Sequence, residues 1–204
     1  MCGKNRFRNL ALLSAGTLAG TLAGTEAASA EGRNGSEAPK KPNILFFLVD
    51  DLGWSDIGCF GSRFHETPNI DRLAEEGVRF TNAYAACHVS SPTRASLMTG
   101  RYPASIRLTD WLPGRKNWPF QRLLNAPVEQ HLPFEEITVA ETLRDNGYAT
   151  AIIGKWHLGK GDSNPLAHGF DEHIPLGYNE GWPQGYYAPF RLNGYEGEEG
   201  EYLT

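Results

Sequence analysis

Three short groups of residues in this 204-residue chain have types and spacings that could do chemistry. The first is Asp50-Asp51, directly after the apolar run 43–49. Adjacent carboxylates repel each other, and holding them at the end of a buried strand is costly unless a cation neutralises them. Their hard oxygens suit Ca²⁺ or Mg²⁺. A solvated acidic turn that caps the strand explains the dipeptide equally well. The second group is Ser90-Ser91-Pro92-Thr93-Arg94, continuing to Arg101. Pro92 at a helix start leaves unpaired N–H groups at that end, where they and the helix dipole attract anions. Ser90 sits just before this end, and Arg94, four residues on, can turn back to the same side. A hydroxyl, helix N–H groups and a fixed cation make an oxyanion pocket. An ordinary capped helix with Arg94 on its surface is the alternative, and Arg101 could be only a dipole partner at the helix end. The third group is Lys155-Trp156-His157, between Gly154 and Gly159. In an extended segment residues two apart face the same way, so a cation would stand beside a titratable imidazole. That pair suits binding an anion and moving a proton. A strand end with a solvated Lys and a hydrogen-bonded His is the plainer account.

The elements that must position these groups alternate between strand and helix. The run 43–49 has the length and continuity of a central parallel strand covered on both faces. Thr67-Pro68 opens a helix that stops at Gly77, and 78–84 alternates as a second strand. Ser91-Pro92 opens a helix that stops at Gly100. Thr138 and Glu141 form a capping box ahead of a helix ending at Asn146-Gly147. Residues 148–153 form a further strand, and the chain from Gly177 onward, rich in Gly, Tyr and Glu, is loop. No internal repeat is present. The pattern predicts an α/β fold with a mostly parallel central sheet flanked by helices, in which sites lie at the carboxyl ends of strands. All three groups fall at such ends.

The composition allows a packed domain, because 40% of the residues are hydrophobic and 21% charged. The formal net charge of −5 gives no support for a surface that wraps a polyanion, so nucleic acid is not an expected partner. Lys4, Arg6 and Arg8, then a mildly apolar run, then Ala28-Ser29-Ala30 make the pattern of a secretory signal peptide over residues 1–30. The apolar run is too short and too rich in Gly and Thr to be a transmembrane segment. The expected location is therefore periplasmic or extracellular. Residues 31–41 are a polar linker. Cys59 and Cys87 remain after cleavage and could pair in an oxidising compartment, but two cysteines are too few to staple a mini-domain.

Ser90-x-Pro92-x-Arg94, followed by Leu97-Met98-Thr99-Gly100-Arg101, resembles the signature of the type I, formylglycine-dependent sulfatases of the alkaline phosphatase superfamily. Residues 42–53, with their Asp-Asp pair, resemble that family's first strand and metal ligands. Thr67-Pro68-Asn69-Ile70-Asp71-Arg72-Leu73-Ala74 resembles its next helix, and Gly154-Lys155-Trp156-His157-Leu158-Gly159 its Lys-x-His motif. These motifs match in order over 42–180. The resemblance implies an arylsulfatase-like sulfuric ester hydrolase that cleaves sulfate monoesters. It implies that Ser90 is oxidised to formylglycine by a serine-type sulfatase-maturing enzyme, an iron–sulfur radical protein. Cys87 is out of register for this role. It also implies that Asp50, Asp51 and residue 90 bind a divalent cation, Ca²⁺ ahead of Mg²⁺. Arg94 would orient residue 90 and, with Lys155, contact sulfate, and His157 would act as general base. A hydrated aldehyde at position 90 supplies one oxygen to attack sulfur and a second hydroxyl whose deprotonation expels sulfate; an unmodified serine lacks the second. The expected substrates are sulfated small molecules or sulfated polysaccharides.

The family's remaining metal ligands, second His and second Lys normally follow later than Thr204. The domain 42–204 is therefore expected to be the N-terminal part of a sulfatase catalytic domain, with little turnover alone. His168 and His173 are expected to be loop residues. Two alternatives stay open: a phosphoester or phosphonate hydrolase of the same superfamily, and a non-catalytic remnant that binds sulfated glycans through Tyr and Trp in 181–187.

Overall fold

The computed structural model describes residues 10–12, 41–174, 187–190 and 196–202. The chain divides into two units, Met1–Tyr84 and Ala85–Thr204.

In the first unit, strand β1 (Leu10–Leu12) pairs in parallel with β2 (Asn43–Leu45), Ala11 lying opposite Ile44. β1 falls within the segment expected to be a signal peptide. The predicted strand 43–49 is shorter than its apolar run: residues 46–49 are not in a strand, and Phe47 is 67% exposed. A strand buried on both faces needs neighbours and cover, and β2 has one strand partner among the described residues. Residues 78–84 are likewise irregular rather than a strand. Helix α1 (Pro68–Glu76) forms where Thr67-Pro68 and Gly77 place it. Thr67 does not cap it through its side chain. Its hydroxyl instead accepts from Gly58 N at 2.8 Å and donates to Asp71 Oδ1 at 3.1 Å, while Asp71 Oδ1 also accepts from Cys59 N at 2.6 Å. The helix thereby holds the 3-10 turn Gly58–Phe60.

The second unit carries α2 (Ser90–Thr99), α3 (Pro103–Ile106), α4 (Val139–Asp145), β3 (Ala151–Ile153) and β4 (Glu172–Ile174). β3 and β4 pair in parallel, as the α/β pattern requires of strands joined by a long connection. α4 starts with the predicted capping box: Thr138 Oγ1 accepts from Glu141 N, and Glu141 Oε2 accepts from Thr138 N. Thr138 also donates to the His168 carbonyl at 2.8 Å, so one buried side chain fixes a helix start to a distant turn. The core joins Ala95 of α2, Ile106, Leu108, Leu132, Trp156 and Leu158, with Met98, Ile152 and Phe170 packed against it. Ala95 and Met98 are three apart and share a helix face, which seats α2 on the segment 154–159. Cys59 and Cys87 are both free thiols.

The two later histidines are not simple loop residues. His173 lies in β4 and is buried. His168 ends the 3-10 turn Pro165–His168 with 1% of its surface exposed. Its ring stacks on Phe134 at 5.1 Å, lies 5.5 Å from Trp156, and its Nε2 is 3.0 Å from Ser163 Oγ. Desolvation lowers its pKa below the usual histidine value, outweighing the opposing pull of the Glu141 carboxylate, and His131 adds to the lowering. The unfolded chain therefore takes up this proton first as pH falls, so stability is full above about pH 6.5 and declines below it until the folded-state pKa is passed. We expect the urea midpoint to fall between pH 7.5 and 5, and this fall to shrink in His168→Gln. An equal slope in the variant would rule out His168 as its source.

Candidate active site

Each group of chemistry-bearing residues is set by a different local device. Asp50 and Asp51 occupy an exposed turn of the first unit, with Asp51 at φ 57°, a left-handed conformation that Asp tolerates. The next turn is closed by Asp56, whose carboxylate accepts from Gly53 N at 2.7 Å. The oxygen donors of the pair suit a hard cation in kind. In number they fall short of the roughly six to eight oxygens that Ca²⁺ takes. Among the described residues no group of three or more His, Cys, Asp or Glu could hold a metal ion.

The other candidates all belong to the second unit. α2 begins at Ser90, one residue earlier than the Ser-Pro pattern suggests, and its N-cap Val89 offers no side-chain cap. Thr93 closes the approach to this end: its hydroxyl donates to the Cys87 carbonyl at 2.7 Å and accepts from Cys87 N at 3.2 Å. Ser90 and Arg94 stand on one face, and Arg94 Nε donates to Ser90 Oγ at 3.0 Å. Another guanidinium nitrogen of Arg94 donates to the Lys155 carbonyl at 2.7 Å. Arg94 is therefore not a surface residue at large in solvent. It bridges the second and third groups, although they lie 61 residues apart.

Segment 154–159 is held from beneath. Trp156 and Leu158 enter the core; Trp156 Nε1 donates to the Ser163 carbonyl at 3.0 Å, and the Leu158 carbonyl accepts from Leu132 N at 2.8 Å. Gly159 is required by φ +133° and by crowding, since a Cβ there would lie 2.6 Å from Ser163 Oγ and 2.8 Å from His131 Cβ. The segment is not an extended strand, because His157 has φ 58°. The alternation that would put Lys155 and His157 on one side does not apply. Lys155 is half-buried and His157 is buried. His157 Nε2 lies 3.0 Å from the Leu112 carbonyl. A carbonyl only accepts, so Nε2 carries the proton and Nδ1 is the basic nitrogen of the neutral ring.

Two positioning residues escape sequence reasoning. Buried Ser91 accepts from Leu112 N at 3.1 Å, and Leu112 in turn holds His157. The residue after Ser90 is thus linked through the main chain of one residue, Leu112, to the candidate base. No local pattern announces a contact across 21 residues. Arg101, for which a part as a dipole partner at the helix end is one alternative from sequence alone, pairs with Glu136.

Comparison with known proteins identifies the family. The family model described as Sulfatase matches residues 42–198. N-acetylgalactosamine-6-sulfatase of Homo sapiens is 40% identical over 161 residues, covering 78% of this chain and 29% of its own length. Steryl-sulfatase of Homo sapiens is 45% identical over 143 residues, covering 67% of this chain and 24% of its own. A solved structure described as Ps i-CgsB aligns at TM-score 0.63 and 31% identity, covering 80% of this chain and 39% of that one. The chain belongs to the sulfatase family, and its parallel strands and flanking helices are part of that α/β fold. It spans about 29% of the length of the curated relatives it matches first.

Ser91→Ala leaves the buried Leu112 N–H without its acceptor, a loss of about 1–3 kcal/mol. We expect a lower urea midpoint with unchanged slope. An unchanged midpoint would show that the bond contributes nothing to stability.

Proposed function

We propose that the protein carrying this chain hydrolyses sulfate monoesters, and that Ser90, Arg94, Lys155 and His157 belong to its catalytic site. The observation that supports this most is the Arg94 guanidinium, which spans Ser90 Oγ and the Lys155 carbonyl. It fixes the side-chain oxygen of residue 90 beside a permanent positive charge and the uncapped start of α2. A sulfuryl group in transfer carries negative charge on its outer oxygens, and donors already in place stabilise it without reorganising. Lys155, whose carbonyl Arg94 holds, is proposed to add a second cation to that cradle. His157, its tautomer set by the Leu112 carbonyl, keeps the buried Nδ1 as its basic nitrogen, the atom proposed to take the proton.

Ser90 is proposed to be oxidised to formylglycine by a serine-type maturing enzyme; the modified residue would supply a hydrated carbonyl as nucleophile. Asp50 and Asp51 would hold the divalent cation, Ca²⁺ before Mg²⁺, together with residue 90 and with ligands beyond the described residues. When bound, it supplies positive charge against the sulfate oxygens. The pattern in residues 1–30 supports export to the periplasm or the exterior; among the described residues no helix is long and apolar enough to cross a membrane. A sulfated sugar is the proposed substrate class. One relative is named for N-acetylgalactosamine 6-sulfate, and a Ps i-CgsB structure at TM-score 0.58 is a complex with k-i-k-neocarrahexaose.

In protein from the native host, the peptide carrying Ser90 should be lighter than encoded by the two hydrogens lost on oxidation. An intact Ser90 would count against conversion. For the active enzyme, Arg94→Ala should lower kcat on an aryl sulfate by about a hundredfold. Equal or faster turnover of the matching aryl phosphate would reassign the enzyme to phosphoester hydrolysis.

A further inference from the structure

The loop 114–125 is built in an unusual way. It is shaped by polar bonds rather than by a core. Asn125 N donates to Asn117 Oδ1 at 2.8 Å, and Asn125 Nδ2 reaches the Arg115 and Lys116 carbonyls at 3.1 and 3.2 Å. Trp118 N donates to the Gln121 side chain, and Gln121 N to the Trp118 carbonyl. Held this way, the loop leaves its large apolar side chains outside. Trp118 is 56% and Phe120 80% exposed, and their rings stack with centroids 6.1 Å apart and planes 13° apart.

The same stretch carries Arg115, Lys116 and Arg122 and no Asp or Glu, in a chain whose net charge is −5. Lys116 and Arg122 are exposed. Arg115 reaches back to Asp110 at 3.3 Å and frames a cavity of about 270 Å³ with Asp110, Gly114 and Asn125. The loop leaves the core at Leu112, the residue bonded to both Ser91 and His157. The loop therefore begins close in sequence to a residue bonded into the candidate site.

We propose that this loop is a binding subsite for a sulfated oligosaccharide: the Trp118–Phe120 pair receives the apolar face of a sugar ring, and Lys116 and Arg122 receive sulfate groups on neighbouring units. Aromatic rings stack on the C–H faces of sugars, and a flanking cation pair selects anionic chains over neutral ones. The charge argument decides the occupant. A plain apolar patch meant for protein packing has no use for the two exposed cations Lys116 and Arg122 beside it, whereas a polyanionic glycan uses both the rings and the charges. The inference assigns a subsite to the substrate class already proposed and rests on that reading. It is tested by binding alone, so its failure and the failure of catalysis are told apart.

Calorimetric titration of the full chain with a carrageenan hexasaccharide, and with its desulfated counterpart, provides the test. Binding of the sulfated probe is expected, with affinity about tenfold lower in Trp118→Ala/Phe120→Ala, and again lower in Lys116→Ala/Arg122→Ala. The desulfated probe should bind weakly to all. Arg144→Ala, an exposed cation on α4, should match the parent. Urea unfolding of each variant confirms that these exposed positions leave the fold intact. No binding by the parent, full affinity in the aromatic variant, equal affinity for the desulfated probe, or an equal loss in Arg144→Ala would each overturn the proposal. Full affinity in the aromatic variant is also the result expected if the loop packs against protein instead.

Discussion

The Arg94 guanidinium is the tie on which the second unit's arrangement turns. A helix start and a loop 61 residues later are joined by one planar cation that donates to Ser90 Oγ and to the Lys155 carbonyl at once, above the core packing of Ala95 and Trp156. A guanidinium suits this: it offers several N–H donors in fixed directions and stays charged at every physiological pH. A lysine in its place would be a point charge on a flexible stem and could not hold both partners in one plane. The same group that organises the backbone also lends the site its charge, so architecture and electrostatics share a single side chain.

That tie depends on packing below it. Ala95 follows Arg94 directly and is fully buried, while Trp156 follows Lys155 and is 2% exposed. Each polar partner therefore sits one residue from a core anchor. Fixed neighbours hold the bridge within hydrogen-bond range, which matters because a hydrogen bond between two mobile side chains contributes little net stability. The Ser91–Leu112–His157 connection works by the same logic: buried groups find their partners in the main chain, and the imidazole tautomer follows from a carbonyl.

Local features were legible in the sequence and tertiary ones were not. The capping box at Thr138 is a four-residue pattern whose bonds are all within reach, and it forms as expected. The helices from Pro68 and near Ser91 stop at Gly77 and Gly100, where a glycine follows the last turn. By contrast, apolar character at 46–49 could not say whether neighbours cover that run, and alternation at 78–84 could not say whether a partner strand exists. The expectation for Lys155 and His157 assumed extended backbone, which a left-handed His157 breaks. His168 reads as a loop residue until Phe134, Trp156 and Ser163 are seen around it. The family was visible because its motifs are short and contiguous; the Leu112 link between them was not, because it is made by folding alone.

The bridge from Arg94 ends on a main-chain oxygen at position 155, not on a side chain. Every residue type has that oxygen. This one bond therefore does not depend on the side chain at 155. A substitution there changes the side-chain charge next to α2 without removing that hydrogen bond.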